Sequence, residues 1–256
     1  MRTEPQGAKG SVTLLVDGAI ACVHLSNASK FNAMSRAMWL QLRAVFEEIQ
    51  QSRLRCVVVS GEGAHFCAGG DIGEYPSFRF DAKQLAHFHE VEVWGGLSAM
   101  WNCDVPIVAA IAGNCMGAGV EIASCCDLRI AGASAKFGAP IARLGFSMAP
   151  REAALVSQAL GASTARAMLL AAEVFAAERL YSNGFLTRLV DDGQVHDHAM
   201  EMAKRIAALA PQAAGRNKQT LRALPVATDA QTYAYADSFE HREGIAAFLD
   251  KRSPDF

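Results

Sequence analysis

A mixed α/β chain with a helical tail is the fold class predicted by the sequence, on three observations. Two short apolar runs, Cys56 to Ser60 and Ile107 to Ile111, do not alternate in polarity, as expected of strands buried on both faces. Segments of helical spacing lie between and after them, an alternation that suits parallel pairing. Beyond Asp191 the strand signals stop and only helical spacing continues. With 256 residues, 51% of them hydrophobic and 20% charged, the chain can bury one large core, which excludes a disordered protein.

The elements follow in order. Val12 to Val16 and Ile20 to Leu25 flank Asp17-Gly18, a pair that tolerates the positive φ of a tight turn, so the chain opens with a hairpin. From Ser35, an N-cap, the residues Met38, Leu42, Val45, Phe46 and Ile49 recur every three or four positions and predict an amphipathic helix. Cys56 to Ser60 is ended by Gly61, and Ile107 to Ile111 by Gly113; Gln84 to Trp101 between them reads as one helix. A further helix begins after Gly119, and Leu128 to Ala131 and Leu186 to Val190 read as strands. The helical tail comprises Val195 to Leu209, Pro211 to Leu224, Asp229 to Phe239 and His241 to Lys251. The expected division is therefore a core over 1–191 and a helical region over 192–256.

Lys and Arg number 24 against 26 Asp and Glu, a net charge of −2, which leaves no general footprint for nucleic acid or an anionic membrane. The apolar runs are broken well short of a membrane span. Seven cysteines, an odd number without a Cys-x-x-Cys pair, predict free thiols in a reducing cytoplasm and no metal site. The first ten residues match neither a secretory signal nor a transit peptide.

Chemistry concentrates in two glycine-rich exits from buried strands. One runs Gly61-Glu62-Gly63-Ala64-His65-Phe66-Cys67-Ala68-Gly69-Gly70-Asp71-Ile72, the other Gly113-Asn114-Cys115-Met116-Gly117-Ala118-Gly119-Val120-Glu121. Adjacent glycines admit a ligand close to the backbone amides, and the second exit leads into a helix whose first amides are unpaired, so an oxyanion can be held there. Turn geometry alone is the plain reading of either loop by itself. No Lys-Ser/Thr follows Gly119 as a phosphate-binding P-loop requires, and Ile122 occupies the third small position of a dinucleotide fingerprint.

HFCAGGDI, then IAGNCMGAGVEIASCCDLRIA, then AKFGAPIARLGF, together with NASKFNAMS near the start and REGIAAFLDKRSPDF at the end, resemble the enoyl-CoA hydratase/isomerase, or crotonase, superfamily over the whole chain. The resemblance implies a spiral of ββα units, a C-terminal helical region that joins subunits into a homotrimer or a dimer of trimers, and an acyl-CoA thioester as ligand, with coenzyme A as part of the substrate and no permanently bound cofactor. It assigns the two amides that grip the thioester oxygen to Ala68 and Ala118, and a catalytic acid/base to Glu121. Lys30, Ala68, Gly69, Gly70, Asp71, Ile72 and Ala118 are the implied acyl-CoA contacts, with Asp71 orienting its loop and Lys30 a partner for CoA phosphates, as is the Lys251-Arg252 pair. For each of these cations a solvated surface charge is the plain alternative.

One departure bears on mechanism. Phe137, Pro140 and Gly145 of the third motif are present, but the position after the proline, where the familiar hydratases carry a second glutamate, is Ile141. Isoleucine cannot move a proton. His87, His89, Glu90 and Glu92 lie on the helix after the first loop and are the candidates to replace it, with a solvent-facing or structural role as the plain reading; Trp39, Trp94 and Trp101 read as core. The expected function is that of an enoyl-CoA hydratase/isomerase with one recognised glutamate. A decarboxylase, hydrolase or lyase on an acyl-CoA, or a non-catalytic CoA-thioester-binding oligomer, are the other readings.

Overall fold

A computed structural model describes residues 10–222 and 238–256 of the chain. The opening hairpin pairs β1 (Ser11–Asp17) with β2 (Ile20–Ser26) antiparallel, with Gly18 at positive φ in the turn. β3 (Cys56–Gly61), β4 (Ile107–Ile111), β6 (Leu128–Gly132) and β9 (Arg188–Val190) add in parallel to give a six-stranded sheet of order β1-β2-β3-β4-β6-β9. A second sheet has three short strands, β5 (Asn114–Met116), β7 (Lys136–Gly138) and β8 (Val174–Ala176), in the order β5-β7-β8. Successive strands alternate between the sheets: β4 joins the large one and β5 the small one before α4 (Ala118–Cys125), then β6 and β7 do the same before α5 (Pro150–Leu160). This is the spiral of ββα units that the resemblance implies.

The non-alternating runs are explained by the two cores. Val57, Val59, Ala109 and Ile111 face a large cluster with α1 (Arg36–Gln50), α3 (Trp94–Asn102) and α4. Cys56, Val58, Val108 and Ala110 face the opposite way, onto Val195, Ala199, Met202, Ala203 and Ile206 of α8 (Val195–Ala207). Both sides of each strand are therefore shielded, and polarity has no reason to alternate. α8, the first helix after Asp191, forms the second cover of the main sheet. α9 (Pro211–Arg222) is pinned beside it by the buried Lys218 ammonium, 2.8 Å from Asp127 and 2.9 Å from the Val105 carbonyl.

Two features differ from the sequence reading, and a third expectation lies almost wholly outside the described residues. Gln84 to Trp101 is not one regular helix: α2 (Ala82–His87) passes through a π-helical turn over Phe88–Val93 into α3. α6 (Ala162–Leu170) and α7 (Ala177–Ser182) lie between β7 and β9, where the sequence analysis placed no element. The predicted helix over 229–239 falls almost wholly outside the described residues; the last helix, α10, is Phe239–Asp250. All seven cysteines are free thiols. Among the described residues no helix is long and apolar enough to cross a membrane, and no group of three or more His, Cys, Asp or Glu could hold a metal ion.

Candidate active site

The two glycine loops meet. Their backbones run side by side through a parallel bridge between Cys67 and Cys115, with the Cys67 amide donating to Asn114 at 3.0 Å and the Met116 amide to Cys67 at 2.8 Å. Where they touch, Gly117 has φ 46°, a left-handed conformation that favours glycine, and a Cβ there would be in van der Waals contact with the Cα of Gly69 at 3.5 Å. The first loop is held from behind by the NASKFNAMS segment. Asn32, fully buried and itself at φ 62°, donates its side-chain amide to the carbonyls of Glu62 (2.8 Å) and His65 (2.7 Å).

This geometry corrects one expected oxyanion donor. The Ala68 amide donates to the Phe31 carbonyl at 3.0 Å and is not available to a ligand. Two residues on, Gly70 is bridged in parallel to Met34, which donates to Gly69 and accepts from Asp71, both at 2.8 Å. In such a bridge the central residue's own amide points the other way, and the Gly70 N–H finds no acceptor among the described residues. Ala118 is the first residue of α4, so its N–H has no partner within the helix either. Gly70 and Ala118 line one narrow cavity of about 60 Å³ together with Trp39, Tyr75, Arg79, His89, Glu121 and Ile141.

Glu121 stands one turn into α4 on the cavity wall. It makes no ion pair and accepts no hydrogen bond among the described residues. Burial, with the negative charge of Glu152 adding to it, pushes its carboxyl up to about 8. Ile141 leaves its part of the wall apolar, as the sequence indicates, and His89 lines the same cavity. Its Nδ1 lies 3.2 Å from Oε1 of Glu152, a buried residue in the first turn of α5. The π-helical turn carries His89 into this position, and π turns inside α-helices occur often at functional sites.

The remaining candidates separate. Glu92 is buried, but Arg36 holds it with two hydrogen bonds and His87 stands 3.6 Å away, so it is a structural ion pair. Glu90 pairs with Arg151 on the surface. Asp71 accepts from the Gly73 amide at 3.1 Å and from the Lys30 ammonium at 2.6 Å. Lys30, its side chain half exposed, thus ties the first loop down through Asp71. Gly69 and Asp71 stay with the loop, and Ile72 is exposed beside it. Arg252 is paired with Glu243 and Asp250. Trp39 is core and cavity wall at once. Tyr75, Arg79 and Glu152 were not singled out by sequence reasoning; for Glu152 the only signal was Pro150 two residues before an acid, which marks a helix start.

A family model for "Enoyl-CoA hydratase/isomerase" matches residues 16–256. The chain belongs to this family. Among its members, the 2,3-dehydroadipyl-CoA hydratase of Escherichia coli K12 is 30% identical over 241 residues, 91% of this chain and 92% of that protein. A mevalonyl-coenzyme A hydratase of Beauveria bassiana is 28% identical, covering 92% and 90%. Of solved structures, an enoyl-CoA hydratase/carnithine racemase from Magnetospirillum magneticum superposes with a TM-score of 0.91 at 34% identity, over 96% of this chain and 94% of the other. The fold is the crotonase fold, and this enoyl-CoA hydratase/isomerase family enzyme acts on CoA thioesters.

Proposed function

We propose that this family member hydrates a 2-enoyl-CoA, with the amides of Gly70 and Ala118 on the thioester oxygen and His89 in place of the missing second carboxylate. The observation that carries the reading is that one cavity holds both unpaired amides, a carboxyl raised to about 8, and a histidine backed by a buried glutamate. At neutral pH a Glu121 of that kind is mostly protonated and suits the role of acid. With the Glu152 carboxylate accepting from Nδ1–H, the basic nitrogen of His89 is Nε2. His89 takes a proton from water as its oxygen bonds to the β-carbon. The electrons of the double bond pass to the thioester oxygen, which the two amides stabilise, each donor being worth about 3–4 kcal/mol at the transition state. Glu121 then protonates the α-carbon, and solvent returns the proton from His89 to Glu121.

The assay is loss of enoyl absorbance on crotonyl-CoA and longer 2-enoyl-CoAs. His89→Ala and Glu121→Gln should each lower kcat by about 100- to 10,000-fold, while acyl-CoA affinity changes little because the amides remain. Ile141→Glu placed in the His89→Ala background should recover part of the lost rate. Full activity in either single variant removes that residue from the mechanism. Tight acyl-CoA binding without hydration of any 2-enoyl-CoA replaces this reading with another acyl-CoA reaction on the same oxyanion site.

A further inference from the structure

The cavity contains a cation that the reaction above does not use. Arg79 lies on the wall that includes Glu121 and Ile141, its guanidinium carbon 3.7 Å from the ring centroid of Phe146 and 4.6 Å from that of Tyr75. The two rings stand edge to face with centroids 6.0 Å apart. A guanidinium packed over aromatic rings does not spend its N–H donors on a carboxylate. Among the described residues no carboxylate pairs with Arg79, and its side chain donates no hydrogen bond to protein. Among the described residues, the one ionisable group that acts on it is the Tyr75 phenol. Glu121 is not its counter-ion, since that carboxyl is raised rather than lowered. Three other cations on the elements around the site have carboxylate partners: Lys30 pairs with Asp71, Arg36 with Glu92 and Arg151 with Glu90.

A partly buried, positioned arginine without a counter-ion is costly unless an anion arrives to pair with it. We propose that Arg79 receives a carboxylate on the acyl chain, so that the substrates are thioesters of CoA with a dicarboxylic acid. The planar fork of Arg79 matches a carboxylate in two parallel hydrogen bonds, and the charge lies on the acyl side of the site, beside the residues proposed to meet the reacting carbons. A phosphate of CoA carries similar chemistry, and the test separates the two sources.

The inference rests on the reading of this cavity as an acyl-thioester site. The experiment is calorimetric titration of the full chain with adipyl-CoA and hexanoyl-CoA, which share the CoA moiety and the chain length and differ in the terminal carboxylate. Adipyl-CoA should bind about 10- to 100-fold more tightly, and in Arg79→Gln the ratio should fall to near one. Arg79→Lys, which keeps the charge but loses the fork, should retain a reduced preference. Circular-dichroism melting of each variant verifies folding. Equal affinities in the wild type overturn the proposal, as does tighter binding of hexanoyl-CoA, which would assign the chain end to the apolar cavity of about 500 Å³ that adjoins this one at Ile141, Phe146 and Met148. An equal loss for both thioesters in Arg79→Gln assigns Arg79 to a CoA phosphate and overturns it too. A preference that survives in Arg79→Gln names another cation. If neither thioester binds, the acyl-CoA reading itself fails; if both bind alike, only the assignment of Arg79 does.

Discussion

Among the described residues Glu121 meets neither a cation nor a hydrogen-bond donor in the cavity, and that isolation has a thermodynamic sign. Its carboxyl sits near 8 in the fold against an ordinary value of 4.5. Below pH 4.5 folded and unfolded chains both hold the proton; between 4.5 and 8 only the folded chain does, so its contribution to stability is lost as pH rises through that window. Glu121→Gln has no such proton to lose. Its melting temperature relative to the wild type should climb from pH 4.5 to 8 and level off beyond, while wild-type hydration should decline above about pH 8 as the acid ionises. A flat difference in melting temperature would place Glu121 among ordinary carboxylates. Asn32 is a second test at this scale: Asn32→Ala abandons the carbonyls of Glu62 and His65 and should cost about 1–3 kcal/mol in urea unfolding. Glu121 and the loop that faces it were legible in the sequence. The register of the other oxyanion donor was not, because a string of small residues does not say which amide is spent on the chain itself. That depends on the bridge between Met34 and Gly70, formed by residues 36 positions apart.

At the scale of the element, the π-helical turn over Phe88–Val93 deserves a direct perturbation, since its one wide turn sets where both His89 and Glu92 face. Deleting the exposed Val91 should let the segment close into regular α-helix, turning residues on one side of the deletion by about 100° relative to the other. Helical circular dichroism should hold, while kcat on 2-enoyl-CoA falls at least as far as in His89→Ala; unchanged kcat would show that the wide turn does not matter for catalysis. The periodicity of apolar residues gave no hint of it, since a π turn adds a single residue to an otherwise regular pattern. Strands β3 and β4 were legible because burial on both faces leaves an unbroken apolar run. β5, β7 and β8 were not: each has three residues, too few to display a period of two.

At the scale of the molecule, the C-terminal helices leave Phe239, Ile245, Phe248 and Leu249 exposed on α10 and Leu221 on α9. We propose that subunits cover these residues in a trimer or a pair of trimers, and light scattering at micromolar concentration should give three or six times the chain mass; a monomer would contradict it. α8 has a different consequence. The second face of the main sheet is covered by residues 195–206, which leave the ribosome long after β3 and β4 have been made. At about 5–20 residues per second, Val58 and Val108 therefore stay wet for several seconds in a nascent chain that already has its strands, an interval in which a chaperone can hold the sheet or another nascent sheet can stick to it. A stop codon after Asp191 would make that interval permanent, and the shortened polypeptide should be found in the insoluble fraction of a lysate rather than as a free-standing core.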